Sequence, residues 1–202
     1  MTGRRINFPE PENMSAKQRA VYDEILTGPR RQIVGPLRAW LISPELARRN
    51  SAVGEHLRFG DFMPERLKEL AILITGRRYS SEVEWWVHAR EAEAAGVDKA
   101  VIKAINTAAP IELSGDDWTV YEFTRELHET GNVSQHVYEE IKQSFGENGV
   151  VELTALVGYY TMVSMTLNAH QIPLPEGQKS GLAPLNQGGL VTLKPATKKK
   201  GP

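Results

Sequence analysis

The segment from Glu65 to Arg78 carries apolar residues on nearly every side of a helix, and this feature constrains the fold more than any other. Its sequence, ERLKELAILITGRR, follows Pro64, which favours a helix start. Apolar side chains occupy the i, i+3, i+4 and i+7 positions of one face, and two more widen it: Leu67, Leu70, Ala71 and Ile74, with Ile72 and Leu73. We therefore predict a central helix that other elements cover on several sides.

The rest of the chain shows further helical segments with recognisable start and stop residues. Ser, Pro or Asp residues open each apolar-periodic segment, and Gly or Pro closes it. No segment shows the apolar-polar alternation with tight turns that strands require. We predict an all-α fold of about eight helices; besides 65–78, the segments are 15–26, 43–57, 81–96, 98–109, one opening at 116, 134–146 and 149–168.

The helical segments define one domain with an arm on either side. Residues 1–14 are polar and Pro-rich, so we expect an irregular N-terminal arm, and residues 15–175 form the helical domain. Residues 176–202 are rich in Gly, Pro, Lys and Asn, which gives them little material for a core. Two interpretations of this last segment stay open: a solvated tail, or an arm that lies on a neighbouring subunit.

Charge and composition exclude several classes of function. The 202 residues include 24 basic and 25 acidic ones, which gives no electrostatic footprint for a nucleic acid. The apolar stretch 150–167 contains Glu152 and four hydroxyl residues, so a buried core helix fits it better than a membrane span. No apolar run follows the first two arginines, so we expect no secretory signal and a cytoplasmic protein.

The densest group of chemically useful residues lies at 82–88, EVEWWVH. Glu84 and His88 are four residues apart and share one helix face. Glu69 on the preceding helix joins them if the two helices pack antiparallel, as a short connection favours. A carboxylate beside an imidazole raises its pKa and fixes its ring, which suits general acid–base catalysis. Trp85 and its neighbour Trp86 would supply apolar walls that exclude water.

Each of these residues also has a purely structural interpretation. Ser81 and Glu84 match a capping box, so Glu84 could cap its helix. Glu69 could pair with Arg66 at i, i+3, and His88 could be a satisfied core histidine. Glu69, Glu84 and His88 could in principle ligate a metal, but no second histidine lies nearby and HExxH is absent, so we predict no metal site.

The remaining histidines differ in their surroundings. His56, His128 and His136 lie in polar helical segments, and we expect them at the surface. His170 directly follows the long apolar helix, so it could line the rim of a pocket.

Several segments together resemble the carboxymuconolactone decarboxylase family, which is related to alkylhydroperoxidase D. They are residues 66–73 with Glu69, the Glu84-Trp85-x-x-His88 motif, and 94–97; the similarity extends through residues 35–46, 120–134 and 150–175. Peroxidase-type relatives carry a CxxC pair, and here Ser81 and Glu84 stand at those two positions. Because the chain has no cysteine, thiol peroxidase chemistry is excluded.

The resemblance implies a cofactor-independent lyase that removes CO₂ from a carboxylated lactone or a similar small organic acid. His88 would donate a proton or stabilise the dienolate, Glu84 would set its tautomer and Glu69 would complete the relay. Arg38 and Arg66 are the candidates for binding the substrate carboxylate, with Trp85 and His170 as further pocket residues. The family forms trimers or hexamers, so a homo-oligomer is expected. Another acid–base reaction on a ring lactone, by an isomerase or hydrolase, and a non-catalytic helical protein stay open.

Overall fold

The computed structural model of the protein describes residues 4–29, 31–185 and 189–199. Within them the chain forms eight α-helices and confirms the all-α prediction. The helices are α1 (Ala16–Thr27), α2 (Pro36–Trp40), α3 (Pro44–Phe59), α4 (Glu65–Arg78), α5 (Glu82–Ala94), α6 (Lys99–Thr107), α7 (Gly115–Thr130) and α8 (Gln135–His170). A 3₁₀ turn (Pro11–Asn13) precedes α1, and the two short strands are β1 (Glu112–Leu113) and β2 (Thr197–Lys198).

Helix α4 is the centre of the packing, as its sequence predicted. It packs on α5, α6, α7 and α8, and every residue from Leu67 to Arg78 is buried. A helix that is apolar nearly all round must bury several faces to keep them from water, and the four neighbours provide that cover. The end of α4 is polar but also buried, so the side chains of Arg77 and Arg78 donate hydrogen bonds to backbone carbonyls.

Helix α8 differs from the prediction of two separate helices at 134–146 and 149–168. The hydrogen-bonded helix runs from Gln135 to His170 and is interrupted only at Gly146, whose φ of 70° and ψ of −178° are not helical. Glycine tolerates this conformation because it has no Cβ. The sequence marked the break correctly, but the two halves continue into one another as a kinked helix.

By length and composition alone, α8 is also the one helix within the described residues that is long and apolar enough to cross a membrane. Its most apolar window of 18 residues has a mean hydropathy of 1.4, and half of that window is buried inside the protein. The core helix of a folded domain passes the same test.

The N-terminal arm is held on the end of α8. The backbone N–H of Arg5 donates a hydrogen bond of 2.9 Å to the carbonyl of His170, and its side chain reaches the carbonyl of Ala169. A cation at a helix C-terminus is favourable because the last carbonyls carry partial negative charge. Phe8 is buried, so the arm contributes to the packing and lies beside the cavity described below.

The C-terminal segment 189–199 packs on its own chain. Val191 and Leu193 are buried, and β2 pairs in parallel with β1. Glu129 accepts the backbone N–H of Leu193 at 2.8 Å, and Glu122 accepts that of Ala196 at 2.6 Å. Carboxylates of α7 thus satisfy backbone donors that a short strand leaves unpaired, and two apolar side chains provide the burial.

Candidate active site

Helices α4 and α5 bring Glu69 and His88 together, as the sequence predicted. The two helices are joined by the short turn 79–81 and approach closely at Gly76, where an added Cβ would lie 3.5 Å from the Cβ of Glu84. Oε2 of Glu69 lies 2.8 Å from Nδ1 of His88, and the two side chains are 3% and 4% exposed. A buried imidazole is therefore held at one nitrogen by a buried carboxylate.

The second nitrogen of the ring faces another carboxylate. Oε2 of Glu84 lies 3.4 Å from Nε2 of His88, and this oxygen has no hydrogen-bond partner within the described part of the chain. The ring of Tyr160, on α8, meets the imidazole edge to face with centroids 5.1 Å apart. His88 is thus hydrogen-bonded by one carboxylate, faced by a second and packed against one aromatic ring, so its side chain has a defined orientation.

These surroundings shift the protonation of both groups. Burial acts to lower the pKa of His88, but the charge of Glu69, its hydrogen bond to the ring and the charge of Glu84 outweigh it, so the pKa is raised. Burial is also the largest influence on Glu84 and raises its pKa, although the charge of His88 opposes it. The pair of Glu84 and His88 can therefore hold a proton to a higher pH than either group does in water.

The capping interpretation of Glu84 is not realised. Ser81 is the N-cap of α5, but its side chain makes no capping hydrogen bond, and its Oγ is buried without a partner among the described residues. The carboxylate of Glu84 turns toward His88 instead of toward the start of the helix. The Ser-x-x-Glu pattern predicted the position of the helix start correctly but not the contacts of the glutamate.

A cavity of about 1,050 Å³ opens beside this cluster. Glu84 and His88 both line it, whereas Glu69 lies behind His88 and reaches the cavity only through the ring. The wall combines aromatic, aliphatic and arginine side chains, which include Phe8, Leu37, Arg58, Val83, Trp86, Val87, Tyr159, Tyr160 and Val163. Charged side chains line it as well, among them Glu84, Glu91 and several arginines. A concave site that joins an apolar wall to polar groups is typical of small-molecule sites.

The two tryptophans take different places. Trp85, which the sequence proposed as a pocket wall, is buried in the core and does not line the cavity. Trp86 lines it instead, and the guanidinium of Arg90 lies over its ring at 4.0 Å from the centroid. The pattern of adjacent tryptophans indicated an apolar wall, but the rotation of α5 decided which ring supplies it.

The two arginines predicted to bind a substrate carboxylate also separate. Arg38 lines the cavity, stacks over Phe8 at 4.1 Å and pairs with Glu10 at 3.1 Å. Arg66 does not line the cavity, because its guanidinium pairs with Asp117 on α7. The alternative interpretation that paired Arg66 with Glu69 is not realised, because Arg66 takes a partner from another helix.

The predictions for the other histidines are mixed. The backbone of His170 receives the N-terminal arm, and its side chain does not line the cavity near His88. His56 is exposed and pairs with Glu152 at 2.7 Å. His128, expected at the surface, is half-buried: its Nε2 lies 3.0 Å from Oγ1 of Thr75, and burial together with the charge of Arg78 lowers its pKa to about 4.

Three cavity residues beside His88 were missed by sequence reasoning: Arg58, Glu91 and Tyr160. Glu91 lies three residues after His88, and this i, i+3 spacing was a usable signal. Arg58 and Tyr160 come from α3 and α8, far away in sequence, and nothing local marks them. They reach the site only because α3 and α8 pack against each other and α8 packs on α4.

One group of side chains could hold a metal ion by its geometry. The ligand atoms of Glu69, His88 and Glu91 all lie within 4.8 Å of one another. This set differs from the one weighed in the sequence, because Glu91 takes the place of Glu84. Carboxylate and imidazole ligands suit a divalent cation, but Arg58 already pairs with Glu91 and supplies positive charge at this place.

Comparisons of the chain with protein-family models, with curated proteins and with solved structures found no match.

Proposed function

We propose that the protein is a cofactor-independent lyase that decarboxylates a carboxylated lactone or a similar small organic acid. The observation that carries this proposal is the buried row of Glu69, His88 and Glu84 at the wall of a cavity that fits a small organic molecule. The resemblance of 66–73 and of the Glu-Trp-x-x-His motif to carboxymuconolactone decarboxylases supports the same reaction class.

This reaction needs a proton donor and a group that stabilises the negative charge formed when CO₂ leaves. When the bond between the ring carbon and the carboxylate breaks, CO₂ leaves. The electron pair of the broken bond passes through the conjugated system to the oxygen of the lactone carbonyl, and the ring becomes a dienolate. His88, charged and held at Nδ1 by Glu69, donates the Nε2 proton to carbon, and Glu84 beside Nε2 returns a proton to the ring. Solvent supplies the one proton that the net reaction consumes.

The test follows CO₂ release from unsaturated lactones that carry a carboxylate. We expect turnover by the wild type and a loss of about 100-fold or more in His88→Gln, because general acid catalysis contributes about 10²–10⁴. Glutamine keeps a hydrogen-bonding side chain near Glu69 but cannot transfer the proton. His56→Gln is the matched control, since His56 forms a similar pair with Glu152 at the surface, and we expect it to retain wild-type turnover.

Three results would contradict the proposal in different ways. Equal turnover in the wild type and His88→Gln removes His88 from the mechanism. Conversion of the lactones without CO₂ release favours an isomerase or hydrolase that uses the same pair. No conversion of any such lactone refutes the lyase and leaves the Glu–His cluster as a buried polar network.

We also propose that the protein is a homo-oligomer. Leu46 and Val53 on α3, and Val151 and Met165 on α8, are exposed apolar residues. The members of each pair are separated by 7 or 14 residues, so each pair lies on one helix face, and α3 packs beside α8. Exposed apolar patches commonly mark protein contacts. Sedimentation velocity should give a mass that is a multiple of the 22.5 kDa chain, and a monomer at micromolar concentration would refute this proposal.

A further inference from the structure

Within the described part of the chain four arginines line the cavity, and one of them differs from the rest in its ion-pair partner. Arg4 and Arg38 stack on Phe8, and Arg90 stacks on Trp86. Arg58 also lies over a ring, that of Phe59 at 5.9 Å, but it alone among these four reaches into the group of acidic residues around the imidazole, because its partner Glu91 lies one helical turn after His88. Its charge is the one that a ligand beside His88 would meet.

The carboxylate of Glu91 shows what fits this place. Its Oε2 atom makes the ion pair with Nη2 of Arg58, and the same atom lies 3.8 Å from Nδ1 of His88. A single carboxylate oxygen therefore spans the guanidinium and the imidazole. The side chain of Glu91 is 38% exposed, whereas that of His88 is 4% exposed, so Glu91 can turn toward solvent while His88 stays fixed.

The backbone of Arg58 is held in place by a buried lysine. Nζ of Lys68, a buried side chain on α4, donates hydrogen bonds to the carbonyl of Arg58 at 2.8 Å and to that of Gly60 at 2.7 Å. Lys68 is the residue before Glu69, so adjacent residues of α4 hold the backbone of Arg58 and the ring of His88. The end of α3 and the imidazole are thus fixed relative to each other, which keeps an anion site between them in shape.

We propose that Arg58 binds the carboxylate of the substrate and that Glu91 occupies this place in the free protein. The proposal rests on the lyase function above and names the anion-binding residue of the same cavity. A guanidinium has five donors in a planar fork, and within the described residues its side-chain hydrogen bond goes to Glu91, so donors are left for a ligand carboxylate. Substrate binding exchanges one carboxylate for another at the same cation.

The probe is 5-oxotetrahydrofuran-2-carboxylate, a saturated lactone acid that has no conjugated path for decarboxylation. Its carboxamide is the neutral match, and calorimetric titration of the full chain gives both affinities at one salt concentration. We expect the wild type to prefer the acid over the amide by about 10- to 100-fold, the range of hydrogen bonds to charged groups. Arg58→Gln should remove this preference, and Arg58→Lys should keep part of it.

Two further variants separate binding from general damage. Arg66→Gln also deletes an ion-paired arginine of similar exposure, but outside the cavity, so it should keep the full preference. Glu91→Gln should tighten binding of the acid by roughly 2- to 5-fold, since it removes a half-exposed competing partner. A merely structural role of the Arg58–Glu91 pair predicts no gain in Glu91→Gln.

The outcomes distinguish this inference from the proposed function. If Arg58→Gln retains the preference for the acid, or if the wild type has none, Arg58 is not the anion site, whatever the lyase assay shows. If the preference depends on Arg58 while no unsaturated lactone acid loses CO₂, the anion site stands and the proposed reaction fails.

Discussion

Replacing Glu69 by Gln removes the charge that faces Nδ1 of His88 and leaves a side chain of nearly the same shape. Both partners are almost fully buried, and their atoms are 2.8 Å apart. Deleting one partner of a buried ion pair costs about 3–5 kcal/mol, and here the imidazolium loses its nearest opposite charge while Glu84 at 3.4 Å remains. For a chain of this length the melting temperature should therefore fall by roughly 6–20 °C while His88 is protonated.

The loss should depend on pH, and its sign follows from the raised pKa of His88. A histidine whose pKa is higher in the folded state than its ordinary value of 6.5 contributes stability that is fully present below pH 6.5. That contribution disappears as the pH rises through the pKa of the folded state. The difference between the wild type and Glu69→Gln should thus be largest at pH 5.5–6 and shrink toward about 1 kcal/mol, the value of a neutral hydrogen bond.

Urea unfolding followed by far-UV circular dichroism, from about pH 5.5 to 9, measures this difference. Glu152→Gln is the matched control, because Glu152 pairs with His56 at 2.7 Å but that histidine is 66% exposed. An exposed pair contributes about 0–1 kcal/mol, so this variant should remain close to the wild type at every pH. A loss in Glu69→Gln that is constant with pH, or no larger than the control, would refute the ion pair.

Three other perturbations test the fold around the site. Leu193→Ala should cost about 2–5 kcal/mol, because Leu193 is buried where the C-terminal segment docks, while the matched change at the exposed Leu190 should cost less than about 0.5 kcal/mol in the same urea titration. Gly146→Ala should cost about 1–3 kcal/mol, since φ is +70° at ψ −178°, and an equal stability would show that the kink relaxes. Because the pKa of His128 is lowered to about 4, its contribution to stability is present above pH 6.5 and is lost as the pH falls toward 4. His128→Gln should remove up to about 3 kcal/mol of this loss on acidification. Acid unfolding of the variant that matches the wild type would refute this role of His128.

Local sequence determined the helices and the first half of the site. The period of apolar residues and the Ser, Pro and Gly boundaries depend on neighbours within four residues, and the structure follows them for the central α4 and for α5. A short turn between two helices forces them side by side. The contact of Glu69 with His88 could therefore be predicted although the two residues are 19 positions apart in the sequence. The spacing of Glu84 and His88 on one helix face is equally local.

Only the tertiary structure decided the remainder of the cavity. Arg58 and Tyr160 come from α3 and α8, and their arrival beside His88 depends on crossing angles and register that helical periodicity does not encode. Arg66 shows the same limit, because Asp117 from α7 replaces the local partner that the spacing suggested. The C-terminal segment has two buried apolar residues but no apolar periodicity from which its position could be predicted. Carboxylates of α7 hold it in place by accepting hydrogen bonds from its backbone N–H groups. Contacts within a helix follow from the spacing of residues in the sequence, whereas contacts between helices that are distant in sequence form only when the core packs.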